Sequence, residues 1–90
     1  MIETRLTILH PAGLHARPAA LFVQTAGRYQ STVRVANLTR NTRPVDAKSI
    51  LGILSLGVSS GHEIQITAEG SDEGAAMSHL QQLVESNFRE

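Results

Sequence analysis

The hydrophobic period of this chain switches back and forth between two residues and about 3.6, and that switching restricts the fold more than any other feature. Residues 2–8 alternate, with Ile2, Leu6 and Ile8 apolar among Glu3, Arg5 and Thr7, which predicts a strand. Pro11 and Gly13 break the alternation. From Ala16 the apolar positions become Ala19, Phe22, Val23 and Ala26, one stripe of a helix that Gly27 can stop and beneath which Tyr29 can pack back. Residues 32–37 alternate again and predict a second strand. Leu38 to Arg43 is a polar connection, and Pro44-Val45-Asp46 predicts a short third strand, with Pro44 on an edge or at its start because it has no N–H to donate. Ala47 to Leu56 is apolar at Ile50, Leu51, Ile53, Leu54 and Leu56, a short helix with a wide apolar face and Gly57 as its cap. His62 to Ala68 places Ile64 and Ile66 on one face of a fourth strand. Gly70-Ser71-Asp72-Glu73 then opens a last helix, with Ser71 or Asp72 able to cap it, and Ala76, Met77, Leu80, Leu83, Val84 and Phe88 carry the helical spacing to the end.

The resulting order is β-α-β-β-α-β-α. Helices interleaved with short strands predict an α+β fold, a mainly antiparallel four-stranded sheet with three helices on one face. No repeat, low-complexity tract or linker divides residues 1–90, so the expectation is one domain. A hydrophobic fraction of 41% supplies a single two-layer core. There is no cysteine, which excludes disulfide staples, thiolate chemistry and Cys-rich zinc sites. The first residues lack the layout of a signal peptide, and no apolar run approaches the ~20 residues that span a bilayer. The expectation is therefore a cytoplasmic protein without membrane insertion.

Formal charge sums to zero, yet it is segregated. Arg17, Arg28, Arg34, Arg40, Arg43 and Lys48 occupy the middle of the chain with Asp46 the only acid among them. Glu63, Glu69, Asp72, Glu73, Glu85 and Glu90 dominate the last third, opposed by Arg89. A basic half suits an acidic partner or a phosphate, and solvated charge with no partner is the plainer reading.

The junction between the first strand and the first helix carries the chemistry. Gly13 permits a tight backbone approach, and His15 falls at or beside the helix N-cap. The first N–H groups of a helix have no internal partners and the dipole end there is positive, so an anion is favoured. Arg17 adds a fork of donors suited to phosphate oxygens. Pro18 sits in the first turn, where a missing N–H costs nothing. A nucleophilic imidazole beside an anion site is what a phosphohistidine needs.

Gly13-Leu14-His15-Ala16-Arg17-Pro18-Ala19 closely resembles the active-site signature of the HPr family, the histidine phosphocarriers of the bacterial phosphoenolpyruvate:sugar phosphotransferase system. Lys48-Ser49-Ile50-Leu51-Gly52-Ile53-Leu54-Ser55-Leu56-Gly57 is similar to that family's regulatory serine segment, and Glu69-Gly70-Ser71-Asp72-Glu73 is a weaker third match. The element order agrees with the family's open-faced β-sandwich. The resemblance implies that His15 takes a phosphoryl group on Nδ1 from enzyme I and passes it to enzyme IIA domains, with Arg17 steadying the group. It implies a monomeric carrier that is a substrate of kinases more than a stand-alone enzyme, with no cofactor and no metal. Ala16, Ala20, Ile50, Leu51 and Leu54 would form the partner-binding surface.

Ser49 resembles the serine modified by an HPr kinase/phosphorylase, and phosphate there would meet the positive end of the short helix beside an apolar patch. That implies an alternative function, a regulatory adaptor that binds a catabolite-control transcription regulator. Serine is also among the best N-caps, so a purely structural role stands beside the regulatory one. The sequence departs from the family at two places. Ala12 stands where a small polar residue is usual, which leaves the orientation of His15 to the backbone, and the connection from residue 37 to 45 is about three residues longer than usual.

The remaining histidines carry little at this level. His10 reads as a solvated loop residue that could flank the site, His62 as the start of a strand, and His79 as an outward residue of the last helix. No metal constellation accompanies them. Arg40 and Arg43 read as solvated, because the stacking aromatics of a nucleic-acid surface are missing. Asn37-Leu38-Thr39 matches a glycosylation sequon that the absence of a signal peptide makes irrelevant.

Overall fold

The computed structural model describes residues 1–89. Its elements are β1 (Ile2–Thr7), α1 (Ala16–Gly27), β2 (Thr32–Asn37), β3 (Val45–Asp46), α2 (Ile50–Ser55), β4 (Glu63–Glu69) and α3 (Glu73–Glu85). The four strands form one sheet in the order β1-β4-β2-β3 with every pair antiparallel. Register follows from the alternation. Ile66 pairs with Thr4 on one side and Val35 on the other, so Ile64, Ile66, Ala68, Val33 and Val35 turn the same way and are fully buried.

The helices cover that face. Ala19, Phe22 and Ala26 of α1 and Ala76, Met77, Leu80, Leu83 and Val84 of α3 join the sheet residues in one apolar cluster. Burying a side chain of the size of Phe22 or Leu80 stabilises the fold by about 1.5–3 kcal/mol each. Glu3, Arg5, Thr7, Thr32, Arg34, Glu63 and Glu69 lie exposed on the other face of the sheet, which makes the molecule an open-faced sandwich.

Several boundaries differ from the sequence reading for identifiable reasons. β3 is two residues long and leaves Pro44 outside. The short helix begins at Ile50 instead of Ala47, because Ala47 still donates to Val33 O at 2.9 Å and Ser49 is the N-cap. α3 ends at Glu85. Asn87 and Phe88 then adopt positive φ, and the Phe88 N–H donates to Leu83 O at 2.8 Å, folding its ring back into the core. Gly27 is the last residue of α1 but does not end it through a left-handed turn; Arg28 closes the helix in a right-handed conformation. Gly57, with φ 59, does cap α2.

The long connection after β2 is tied down by buried Asn37. Its Nδ2 donates to Leu56 O at 3.0 Å, and its Oδ1 accepts the Arg40 N–H at 3.3 Å. Its main chain exchanges bonds with Thr42, whose Oγ1 accepts the Asn37 N–H at 2.8 Å. The loop is thereby fastened to the end of α2.

Candidate functional site

The segment between β1 and α1 is built as a turn and an anchor. His10-Pro11-Ala12-Gly13 forms a β-turn closed by the Gly13 N–H donating to His10 O at 2.8 Å, with proline at the position whose φ it pre-sets. Gly13 has φ 64, and a Cβ there would collide with the Val58 carbonyl, so only glycine fits both the conformation and the space. The next amide, Leu14 N–H, donates to Val58 O at 3.0 Å, and the Leu14 side chain is fully buried.

His15 follows at once, exposed, as the N-cap of α1 in an extended conformation, φ −128 and ψ 165. Its side chain makes no capping hydrogen bond. Ala16 then sits at φ 49, a left-handed conformation that costs a residue with a Cβ roughly 1–2 kcal/mol. Outliers of this kind concentrate where a chain must present a reacting group. The 12-residue helix that follows has no acid in its first turn and Pro18 within it. Its positive end therefore meets His15 with no acid from its own first turn. Arg17 is exposed and shares a shallow cleft with His10, Ala12, Ala16, Pro18, Leu21 and Phe88.

The four histidines differ in a decisive way. The His10 Nδ1 accepts the Ala12 N–H at 3.0 Å, the His62 Nδ1 accepts the Ser59 N–H at 3.1 Å, and the His79 Nδ1 lies 2.7 Å from the Tyr29 hydroxyl. Among the described residues, His15 is the histidine whose ring makes no hydrogen bond. Electrostatics reinforce its position, because residues 4–45 and 47–62 contain no Asp or Glu. Neither of these two segments brings a carboxylate that would repel phosphate.

These residues match the family model described as the PTS HPr component phosphorylation site over residues 2–86. The chain belongs to the HPr family. Phosphocarrier protein HPr of Treponema pallidum (strain Nichols) is 41% identical over 90 residues, spanning all of this chain and 99% of that protein. The crystal structure of HPr-C-His from Thermoanaerobacter tengcongensis matches with a TM-score of 0.94 at 49% identity, covering 100% of this chain and 98% of that one. Crh of Bacillus subtilis, whose crystal structure is described as a dimer with a swapping domain, matches with a TM-score of 0.74 at 39% identity over the full length of both chains. The chain is thus an HPr phosphocarrier by family, and the open-faced sandwich is the fold of its HPr neighbours.

Within this HPr fold the other expected site residues fall as follows. Ser49 caps α2, its Oγ accepting the Gly52 N–H at 3.1 Å. Ile50 is 41% exposed, Leu51 76% and Leu54 38%, whereas Ile53 on the opposite face of the helix is fully buried. Ala16 is exposed and Ala20 half-buried on α1, which packs against α2. One reading of the sequence is sharpened and another corrected. His10 is a half-exposed loop residue that flanks the site, but it is more than solvated, since it holds Ala12 and meets the Phe88 ring edge-on with centroids 6.0 Å apart. His79 does not point outward, because Tyr29 binds it and half buries it.

Proposed function

We propose that this chain accepts a phosphoryl group on His15 Nδ1 from enzyme I, charged by phosphoenolpyruvate, and passes it to enzyme IIA in sugar uptake. The observation that carries this reading is the exposed imidazole of His15, without a hydrogen bond of its own, at the positive end of α1 and beside Arg17. The Nδ1 lone pair attacks phosphorus in line, with the proton held on Nε2. The bond from phosphorus to the donor histidine breaks as the new N–P bond forms, and the donor ring leaves as neutral imidazole. Arg17 and the first amides of α1 stabilise the charge on the phosphoryl oxygens during transfer. The exposed Ile50, Leu51 and Leu54 with Ala16 and Ala20 form the surface on which the two partners dock in turn. In this reading residues 1–90 act as one domain, as a monomer in the cytoplasm. Relay of labelled phosphate from phosphoenolpyruvate through this chain to an enzyme IIA domain tests it, and a chain that takes the label but never releases it to IIA contradicts carriage.

A second reading is favoured by the position of Ser49 at the edge of the exposed α2 patch. Phosphorylation of Ser49 by an HPr kinase/phosphorylase would place two negative charges at the start of α2 and alter which partner, including a transcription regulator, the patch accepts. Labelling with ATP and such a kinase, abolished in Ser49→Ala, is the expected result. Absence of label in the parent protein excludes this regulation.

A further inference from the structure

His10 stands five residues before His15, on the turn that delivers it. Its Nδ1 accepts the Ala12 N–H at 3.0 Å, the bond an Asp or Asn makes from the first position of a turn to the amide two residues on. A backbone amide can only donate, so Nδ1 carries no proton and the neutral ring holds its proton on Nε2. Phe88, folded back beyond α3, supports the ring edge-on at an interplanar angle of 83°. The same ring lines the cleft shared by Ala16 and Arg17.

We propose that His10 is a positioning residue for phosphoryl transfer at His15, an inference that rests on the phosphocarrier reading. The turn is clamped at both ends. On its far side Gly13 lies against the Val58 carbonyl, and the Leu14 N–H donates to that same oxygen at 3.0 Å. On its near side the clamp is His10, which fixes Ala12 through Nδ1 and Gly13 through its carbonyl. Ala12 is exposed and contributes no polar side chain of its own, and the His10 ring is the partner of its amide among the described residues. With both clamps in place, the freedom left between the anchored chain and the reacting nitrogen is that of His15 itself. In-line transfer depends steeply on such placement.

The test compares His10→Ala and His10→Asn as substrates of enzyme I and phosphoenolpyruvate, with amide exchange at Ala12 followed by NMR. In His10→Ala, kcat is expected to fall about five- to tenfold with KM within about twofold, as orientation and not docking is lost. Exchange at Ala12 is expected to accelerate in parallel. In His10→Asn, whose Oδ1 can accept the same N–H, both quantities are expected to return toward the parent values. An unchanged kcat in His10→Ala overturns the proposal, as does an effect confined to KM. So does an Asn variant that protects Ala12 yet transfers no better than Ala. The exchange measurement needs no enzyme. A parent protein that takes no phosphate therefore overturns the phosphocarrier reading, whereas an unprotected Ala12 amide in the parent overturns the role of His10.

Discussion

In the proposed carrier, His15 is the nucleophile and Arg17 the anion clamp, and only the clamp can be varied without removing the proposed reaction. Arg17 offers a planar fork, whereas lysine offers a point charge on a flexible stem. Arg17→Ala should slow single-turnover phosphorylation of His15 about 10²-fold, by analogy with the loss of one transition-state donor, and Arg17→Lys should recover only part of that rate. An Arg17→Ala protein that reacts as fast as its parent would remove Arg17 from the mechanism. The places of His15, Arg17 and Ser49 at helix starts were legible in the sequence because each lies in a short motif there. His10 left a fainter trace, a histidine followed by proline and, three positions on, by glycine. The bond from Tyr29 to His79 joins residues 50 positions apart and leaves no local pattern at all.

At the scale of elements, the start of α3 shows what periodicity cannot reveal. Asp72 stands at the N-cap position but makes no capping bond with its side chain. Its carboxylate accepts instead from the Ser31 hydroxyl, from the Gln30 N–H at 2.8 Å and from the Ser31 N–H at 2.9 Å, fastening α3 to the connection between α1 and β2. These bonds, the Ser31 hydroxyl foremost, hold the carboxyl below its ordinary value of 3.8. Because the folded form binds this proton less readily than the unfolded one, the contribution is fully present above the ordinary value and is lost as pH falls through the lowered one. Asp72→Asn should therefore be less stable than the parent at neutral pH, and the difference should shrink on acidification below about pH 4 when unfolding is followed by urea titration. A difference that stays constant down to pH 2 would show that the ionised carboxylate is not what holds these two elements. Existence and type followed from apolar spacing for every element except β3, whose two residues are too few to show a period. The early start assigned to α2 did not survive, because the apolar pattern cannot distinguish a helical turn from a chain still bonded to a sheet edge at Ala47.

Over the whole molecule, charge is segregated along the chain and mixed on the open face of the sheet, where Arg5 and Arg34 lie with Glu3, Glu63 and Glu69. Residues 4–45 and 47–62, which include His15, Arg17 and Ser49, carry every Lys and Arg except Arg89 and no acid. The sequence showed this division, and it showed the two layers, since alternation in the strands and stripes in the helices must face one another. It did not show how tightly the site is joined to the frame. That joining runs through Val58, whose carbonyl accepts the Leu14 N–H directly before His15. The most direct measurement is phosphorylation by enzyme I and phosphoenolpyruvate with the product examined by ³¹P and ¹⁵N NMR. The expected result is one acid-labile, base-stable phosphoryl group on His15 Nδ1 that is absent in His15→Ala; no incorporation into the parent, or incorporation that persists in His15→Ala, would contradict it.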